Sequence, residues 1–446
     1  MFPTASTHVS TIPSPFQQAE QAASAGAEPL SDNQSVPETN ARPATPPISS
    51  RSRELRNMER LRREDVAVPA DLNQFFYEAA NNNDVARVKA CLHEDLLDFN
   101  KVGADGLTPL QAAASNGHVD VVHVMLENAR VDCNKSRTDG ATPLYIAAQE
   151  GHVDVVRALL KNTNVDCNKS VNNGATPLYI AAYKGHVDVV RAMLECPRLL
   201  CNKGTTTGAT PLYIAACKGH VDVVRTLLEH PRVNCNKGTT DGATPLSIAV
   251  CVGRVNVVRA MLKNARVDCN EITAFGATPL SIAACEGNID VVRAMLDSPH
   301  VDVNKITTDG ATPLHLAARE GHVDVVRALL ANSQVDVNKS MTDGATPLCL
   351  ATYKCHANVV RVLLENADVD CNKSTTDGST PLHIAVYKRH VDVIKVLLQR
   401  RDLNLEKMLA GKTALEWATE KGYRQIADLL RIAAAERPTI SIEEST

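Results

Sequence analysis

Large aromatic side chains are scarce here: Phe, Tyr and Trp make up 3% of 446 residues, with a single Trp. Readers of single-stranded RNA or DNA stack bases on aromatic platforms, so the scarcity argues against that class. An excess of positive charge is missing too. Lys and Arg number 47 against 51 Asp and Glu, a net charge of -4, so no basic field points to nucleic acid. No apolar run approaches ~18 residues, which argues against a membrane-spanning helix. The opening Met1-Phe2-Pro3-Thr4 has neither the charged nor the apolar segment of a secretory leader. Glu20 and Glu28 precede the first arginine, Arg42, which speaks against a mitochondrial presequence. A cytoplasmic, optionally nuclear, location is expected. Neither H-E-x-x-H nor G-x-S-x-G occurs. Gly411-Lys412-Thr413 looks like the end of a phosphate loop, but the earlier glycine it requires falls on Glu406. No catalytic, cofactor-binding or metal-binding residue is nominated, no cofactor is expected, and the chain is not read as an enzyme.

Hydrophobic residues make up 44% of the chain, ample for a core, and its length suggests about three domains. The composition is uneven. Residues 1 to about 50 are rich in Ser, Thr, Pro, Ala and Gln, too poor in apolar surface to offset chain entropy. From Arg51 to Asp65, arginines and acids alternate, with Leu55, Met58 and Leu61 at helical spacing. This stretch reads as a docking or import segment or, better, as a solvated helix, because the acids nearly cancel the arginines. The expected domains are a disordered arm (1–65), a repeat domain (66–436) and a short flexible acidic tail (437–446).

The repeat is plain. Thr-Pro-Leu begins at Thr108 and returns every 34 residues, at Thr142, Thr176, Thr210, Thr244, Thr278, Thr312, Thr346 and Thr380, with Thr413-Ala414-Leu415 after a further 33. Fixed periods of this size mean stacked supersecondary units. One unit reads Gly140-Ala141-Thr142-Pro143-Leu144-Tyr145-Ile146-Ala147-Ala148, then Gly151-His152-Val153-Asp154-Val155-Val156-Arg157-Ala158-Leu159-Leu160. Thr142 is a good N-cap, Pro143 suits the first helical position, and Gly151 separates two short helices. Asp154 and Arg157 are spaced for a surface ion pair. The unit closely resembles the ankyrin repeat over about 72–434. The resemblance implies an all-α repeat solenoid of about 11 units, each a helix-turn-helix plus a hairpin or loop, with degenerate caps at both ends. In place of the usual Gly-containing link after the second helix stands Lys161-Asn162-Thr163-Asn164. The chain must therefore turn there by other means than a left-handed glycine cap.

Thirteen cysteines are an odd number. Cys133, Cys167, Cys201, Cys235, Cys269 and Cys371 share one repeat position with Val303 and Val337, which marks a small buried hydrophobe. Equivalent positions in neighbouring units lie ~8–10 Å apart, too far for the ~4.4–6.8 Å of a disulfide. His118, His152, His186, His220 and His322 follow the inter-helix glycine, and the resemblance implies a structural hydrogen-bonding role. Lysines recurring from Lys101 to Lys407 run beside a ladder of aspartates such as Asp132 and Asp166, and the two read as a solvated edge of cancelling charge. Tyr145, Tyr179 and Tyr213 read as packing residues.

The resemblance further implies that protein partners dock on the inner face of the first helices and on the hairpin tips. Carried over by position, the two residues before the inter-helix glycine line that concave face: Gln149, Glu150, Tyr183, Lys184, Cys217, Lys218, Cys285, Glu286, Arg319 and Glu320, with Tyr353, Lys354, Tyr387 and Lys388 continuing the row where Cys355 and Arg389 replace the glycine. Tyr183, Tyr353, Tyr387 and Arg319 have the chemistry of anchors. Their variation fits a contact strip and free drift after duplication equally well. Exposed asparagines such as Asn168 and Asn338 are open to hydroxylation by the same resemblance. The chain is thus expected to be a monomeric, non-enzymatic interaction scaffold or adaptor for other proteins, without nucleic acid or membrane insertion. The alternative is a regulatory or inhibitory subunit of an enzyme complex, acting partly through the arm.

Overall fold

A computed structural model describes residues 71–95, 97–274 and 276–437. The expected arm (1–65), its Arg/Glu-rich segment and all of the acidic tail beyond Arg437 lie outside the described residues. Among the described residues there are 22 α-helices and no strand, only an isolated antiparallel bridge between Leu409 and Lys412. The helices come in 11 pairs, the number of repeats expected.

The chain divides into two compact units, one reaching to Thr240 and one starting at Asp241. In the first, α1 (Leu72–Asn81) pairs with α2 (Val85–Cys91), α3 (Pro109–Ser115) with α4 (Val119–Leu126), and α5 (Pro143–Glu150) with α6 (Val153–Lys161). It continues with α7 (Pro177–Lys184) and α8 (Val187–Leu194), then α9 (Pro211–Lys218) and α10 (Val221–Glu229). The second unit holds α11 (Pro245–Cys251), α12 (Val255–Leu262), α13 (Pro279–Glu286), α14 (Ile289–Leu296), α15 (Pro313–Glu320) and α16 (Val323–Leu330). After these come α17 (Pro347–Tyr353), α18 (Ala357–Glu365), α19 (Pro381–Lys388), α20 (Val391–Leu397), α21 (Ala414–Glu420) and α22 (Arg424–Ala435).

Each first helix starts as its sequence dictates. Thr142 is extended and its Oγ1 accepts from the Tyr145 N–H at 3.2 Å, while Pro143 opens the helix. The helix ends at Gly151, in the left-handed region at φ +82°. A Cβ on Gly151 would also lie 2.9 Å from the ring of His186, one repeat later. His186 Nε2 donates to the Gln149 carbonyl at 2.9 Å. Glycine and histidine thus form one lock between neighbours, repeated at His152, His220, His322 and His356, and the same histidine–carbonyl bond is made at His118 and His390 without a glycine beneath. Asn83, Cys355 and Arg389 take the glycine's place at φ 60°, 63° and 61°. Over Cys355 the lock stretches: His390 Nε2 stands 3.2 Å from the Tyr353 carbonyl, against 2.8–2.9 Å at the other six.

Ala147, Ala148, Leu144, Val156 and Leu159 are fully buried. Each buried Val or Leu contributes about 1.5–3 kcal/mol, and the alanines let neighbouring first helices approach. Tyr145, Tyr179 and Tyr213 are buried as packing residues, which pushes the phenol pKa values of Tyr145 and Tyr179 up. Large rings otherwise gather at the N-terminal cap, where Phe76 meets Phe99 edge to face at 5.5 Å. In the last pair Glu416, Glu420, Arg424, Asp428 and Arg431 are all exposed, and Trp417 Nε1 donates to the Leu409 carbonyl at 3.2 Å.

The missing link glycine is replaced by two devices. Asn162 Oδ1 accepts from the Asn164 N–H at 2.9 Å, a local turn repeated by Asn128, Asn264, Asn332 and Asn366. A guanidinium from the next repeat then covers the open carbonyls: Arg198 donates to Thr163 and Val165 at 2.7 and 3.0 Å, and Arg130 and Arg232 act alike. In the second unit Arg400 and Arg437 do the same for α18 and α20.

The charged edge differs from its sequence reading. The lysines are partly tethered: Lys169, Lys203 and Lys237 donate to the carbonyls of Asn134, Asn168 and Asn202, one repeat back, at 2.8–2.9 Å, while Lys101, Lys135, Lys237 and Lys339 are exposed as expected. The aspartates close their own turns, as Asp166 Oδ1 does on the Asn168 N–H. The asparagines are half-buried and fully engaged. Asn168 donates to the Arg198 carbonyl at 2.9 Å and accepts from the Leu200 N–H at 2.7 Å. Asn338 does the same with Asp368 and Asp370. The Asp154–Arg157 pair also differs, since Arg157 reaches Glu195 of the next repeat at 3.1 Å; the equivalent Asp188 and Arg191 do pair, at 2.9 Å.

His315 occupies the buried position after Thr-Pro-Leu. Its Nδ1 accepts from the Thr312 N–H at 3.1 Å and its Nε2 donates to the Ala345 carbonyl at 3.1 Å. Burial lowers its pKa to about 4, against the opposing pull of the Ala345 and Lys339 carbonyls, Asp343 and Asp309. The unfolded chain takes up this proton below pH ~6.5, so the contribution is complete above that pH and is lost as pH falls toward 4. Gln111 makes the equivalent two bonds, at 2.8 and 3.1 Å. His315→Gln is therefore expected to remove about 2–3 kcal/mol of the stability difference between pH 7.5 and 4.5. Urea unfolding of both chains at both pH values checks it, and an unchanged difference refutes it.

Candidate docking surface

The positions before the inter-helix turn end each first helix, where the backbone turns away and leaves the last side chains at the surface. In the first unit Glu150 and Lys184 are exposed, and Gln149, Tyr183 and Lys218 are half-buried. Gln149 donates to Glu150 at 2.9 Å, and the Lys218 ammonium sits 4.8 Å from the Tyr183 ring centroid. In the second unit Glu286, Glu320, Lys354 and Tyr387 are exposed, and Cys285, Tyr353 and Lys388 are half-buried.

Two expected contact residues are withdrawn. Cys217 is 2% exposed, its short side chain ending below the surface. Arg319, expected as an anchor, is 5% exposed: it lies back along its own row, with Nε donating to Glu320 at 2.7 Å and a terminal nitrogen 3.9 Å from Cys285 Sγ. The register of the strip was readable from the glycine; the direction taken by a long side chain was not.

The sequence reading also missed members. Arg389 and Lys421, both exposed, and half-buried Tyr423 join the strip near its C-terminal end. Arg389 was visible only as an exception to glycine, yet its guanidinium lies 5.1 Å from the Tyr423 ring centroid. Lys388 lies 4.1 Å from the Tyr353 centroid and 5.9 Å from that of Tyr387.

The strip holds weak chemistry and varied surface. Burial raises the Cys285 thiol pKa against the pull of Arg319, and Cys91, Cys167 and Cys371 are pushed up to about 12, 11 and 11. Such thiols stay protonated and unreactive. All 13 cysteines are unbridged, and the sulfurs of Cys167 and Cys196 stand 4.0 Å apart. Among the described residues no group of three His, Cys, Asp or Glu side chains could hold a metal ion, and no helix is long and apolar enough to cross a membrane.

A family model described as ankyrin repeats (3 copies) matches residues 76–171, 163–241, 231–307, 298–375 and 367–440. No curated protein matches the chain.

Proposed function

Since the chain belongs to the ankyrin-repeat family, whose repeats are generally protein-interaction modules, we propose that it is a non-catalytic scaffold or adaptor that docks partner proteins on the strip ending its first helices. The observation that carries this reading is the contrast along each helix. Thr, Pro and Leu are nearly invariant and buried, whereas the last two positions change from Gln149-Glu150 to Tyr183-Lys184 to Cys285-Glu286 and are half-buried or exposed. Side chains there can change without disturbing the stack, so selection for different partners can act on them alone. We place it in the cytoplasm, with the nucleus open to it, because 13 unbridged thiols suit a reducing compartment, and we take it to be a monomer.

Tyr183, Tyr353 and Tyr387 are the aromatic members best suited to anchor a partner. Replacing all three with Ala is expected to weaken partner capture by about tenfold or more while leaving the melting temperature nearly unchanged. Quantitative pull-down beside a thermal melt checks this. Capture that survives at full strength removes the strip from the docking role.

A further inference from the structure

Charge along the strip is unevenly placed. In the second unit it begins with Glu286 and the Arg319–Glu320 ion pair and ends in the cations Lys354, Lys388, Arg389 and Lys421. Contacts to tyrosines knit three successive helix pairs together here, with Lys388 against Tyr353 and Tyr387, and Arg389 against Tyr423. Among the described residues none of the four cations has a carboxylate within ion-pair distance; Glu420, the acid beside Lys421, is paired with Lys412. Tyr387, 56% exposed, offers an apolar footing beside them.

We infer that this end of the strip takes a carboxylate-rich peptide segment of a partner protein. The inference rests on the docking role proposed above and names the chemistry of its occupant. The cations stand at the ends of three successive first helices, each step ~8–10 Å, so only neighbours lie within about one ~8 Å Debye length and an extended acidic segment meets them in turn. An ammonium over a ring is partly compensated by the ring for the water it gives up, while its outward N–H groups still face a ligand. That favours carboxylates, which accept those hydrogens at close range. It disfavours nucleic acid, because bases stack on open ring faces and the face of Tyr353 is already covered by Lys388.

The test uses the full chain and fluorescence anisotropy with three labelled probes: a peptide of alternating Glu and Gly, its Gln and Gly counterpart, and an oligothymidylate. The Glu peptide is expected to bind at least about tenfold more tightly than the Gln peptide and to weaken as salt is raised. Lys388→Gln with Arg389→Gln should weaken it about tenfold, Lys388→Arg with wild-type Arg389 should retain it, and Lys161→Gln, exposed at the end of a second helix away from the strip, should change it by less than about twofold. If the double variant fails to fold by circular dichroism, Lys354→Gln with Lys421→Gln at exposed helix ends replaces it, with the same expectation. Equal binding of the two peptides, an unaltered affinity in the variant, or tighter binding of oligothymidylate overturns the inference. Photo-crosslinking from benzoylphenylalanine at position 387 separates its failure from that of the docking role. Adducts to partner segments without acids leave docking intact and sink the inference. Absence of any adduct, with the Glu peptide still bound, sinks docking by cellular partners instead.

Discussion

Gly185→Val is expected to destabilise the chain by about 3–5 kcal/mol. Gly185 sits at φ +83°, and a Cβ built on it would lie 2.7 Å from Nδ1 of His220. A β-branched residue in the left-handed region costs about 1–2 kcal/mol or more. Pushing the His220 ring aside adds about 1–3 kcal/mol of overpacking and the loss of its bond to the Tyr183 carbonyl, now 2.8 Å, worth about 1 kcal/mol. The chain supplies its own control. Gly422 holds the same place in the last repeat at φ +73°, with nothing within 4 Å of its would-be Cβ. Gly422→Val should therefore cost only the conformational part, about 1–2 kcal/mol. Urea unfolding followed by circular dichroism compares the two variants. Equal costs would mean that the histidine lock contributes nothing.

The second large effect concerns the asparagine ladder. Replacing Asn134 and Asn168 together with Ala is expected to cost about 2–5 kcal/mol, because four backbone-directed bonds disappear. Asn134 donates to the Asn164 carbonyl at 2.7 Å and accepts from the Asp166 N–H at 2.8 Å; Asn168 spans Arg198 and Leu200 in the same way. The loss stays near the lower end where water can reach the edge. Neighbouring repeats share these bonds, so the double variant should differ from the sum of the single ones. Stability measured for all three variants decides it: a double variant within about 0.5 kcal/mol of wild type would show the ladder to be ornamental. Asn134→Asp with Asn168→Asp is expected to be as damaging, since a carboxylate keeps the acceptor but turns an oxygen toward the carbonyl that needs a donor.

Much of the fold was legible because its signals are local. Thr-Pro at a helix start, glycine at its end and alanine between helices act within one turn of their own position, and the 34-residue period adds only repetition. The packing role of Tyr145, Tyr179 and Tyr213 and the burial of Cys133 and Cys167 followed from the residue types that share each position. The stitches between repeats were not legible. Arg198, Lys169 and Asn168 all bind main-chain carbonyls about one repeat away, and every residue has a carbonyl, so no complementary side chain marks the partner. The lysines were therefore read against the nearest acids, which instead close their own turns. The docking strip was legible in register and partly wrong in content: Arg319 turned inward, and Arg389 entered through a position that usually demands glycine.

One consequence follows from where the lone indole lies. Trp417 belongs to the final helix pair and is hydrogen-bonded to Leu409, so ultraviolet emission from this protein is a local thermometer of its C-terminal end. Circular dichroism, by contrast, sums over every helix. In a linear array whose segments can open one after another, the two optical signals need not coincide. The interval between their midpoints measures how far melting at that end runs ahead of, or behind, the remainder, without any label being attached.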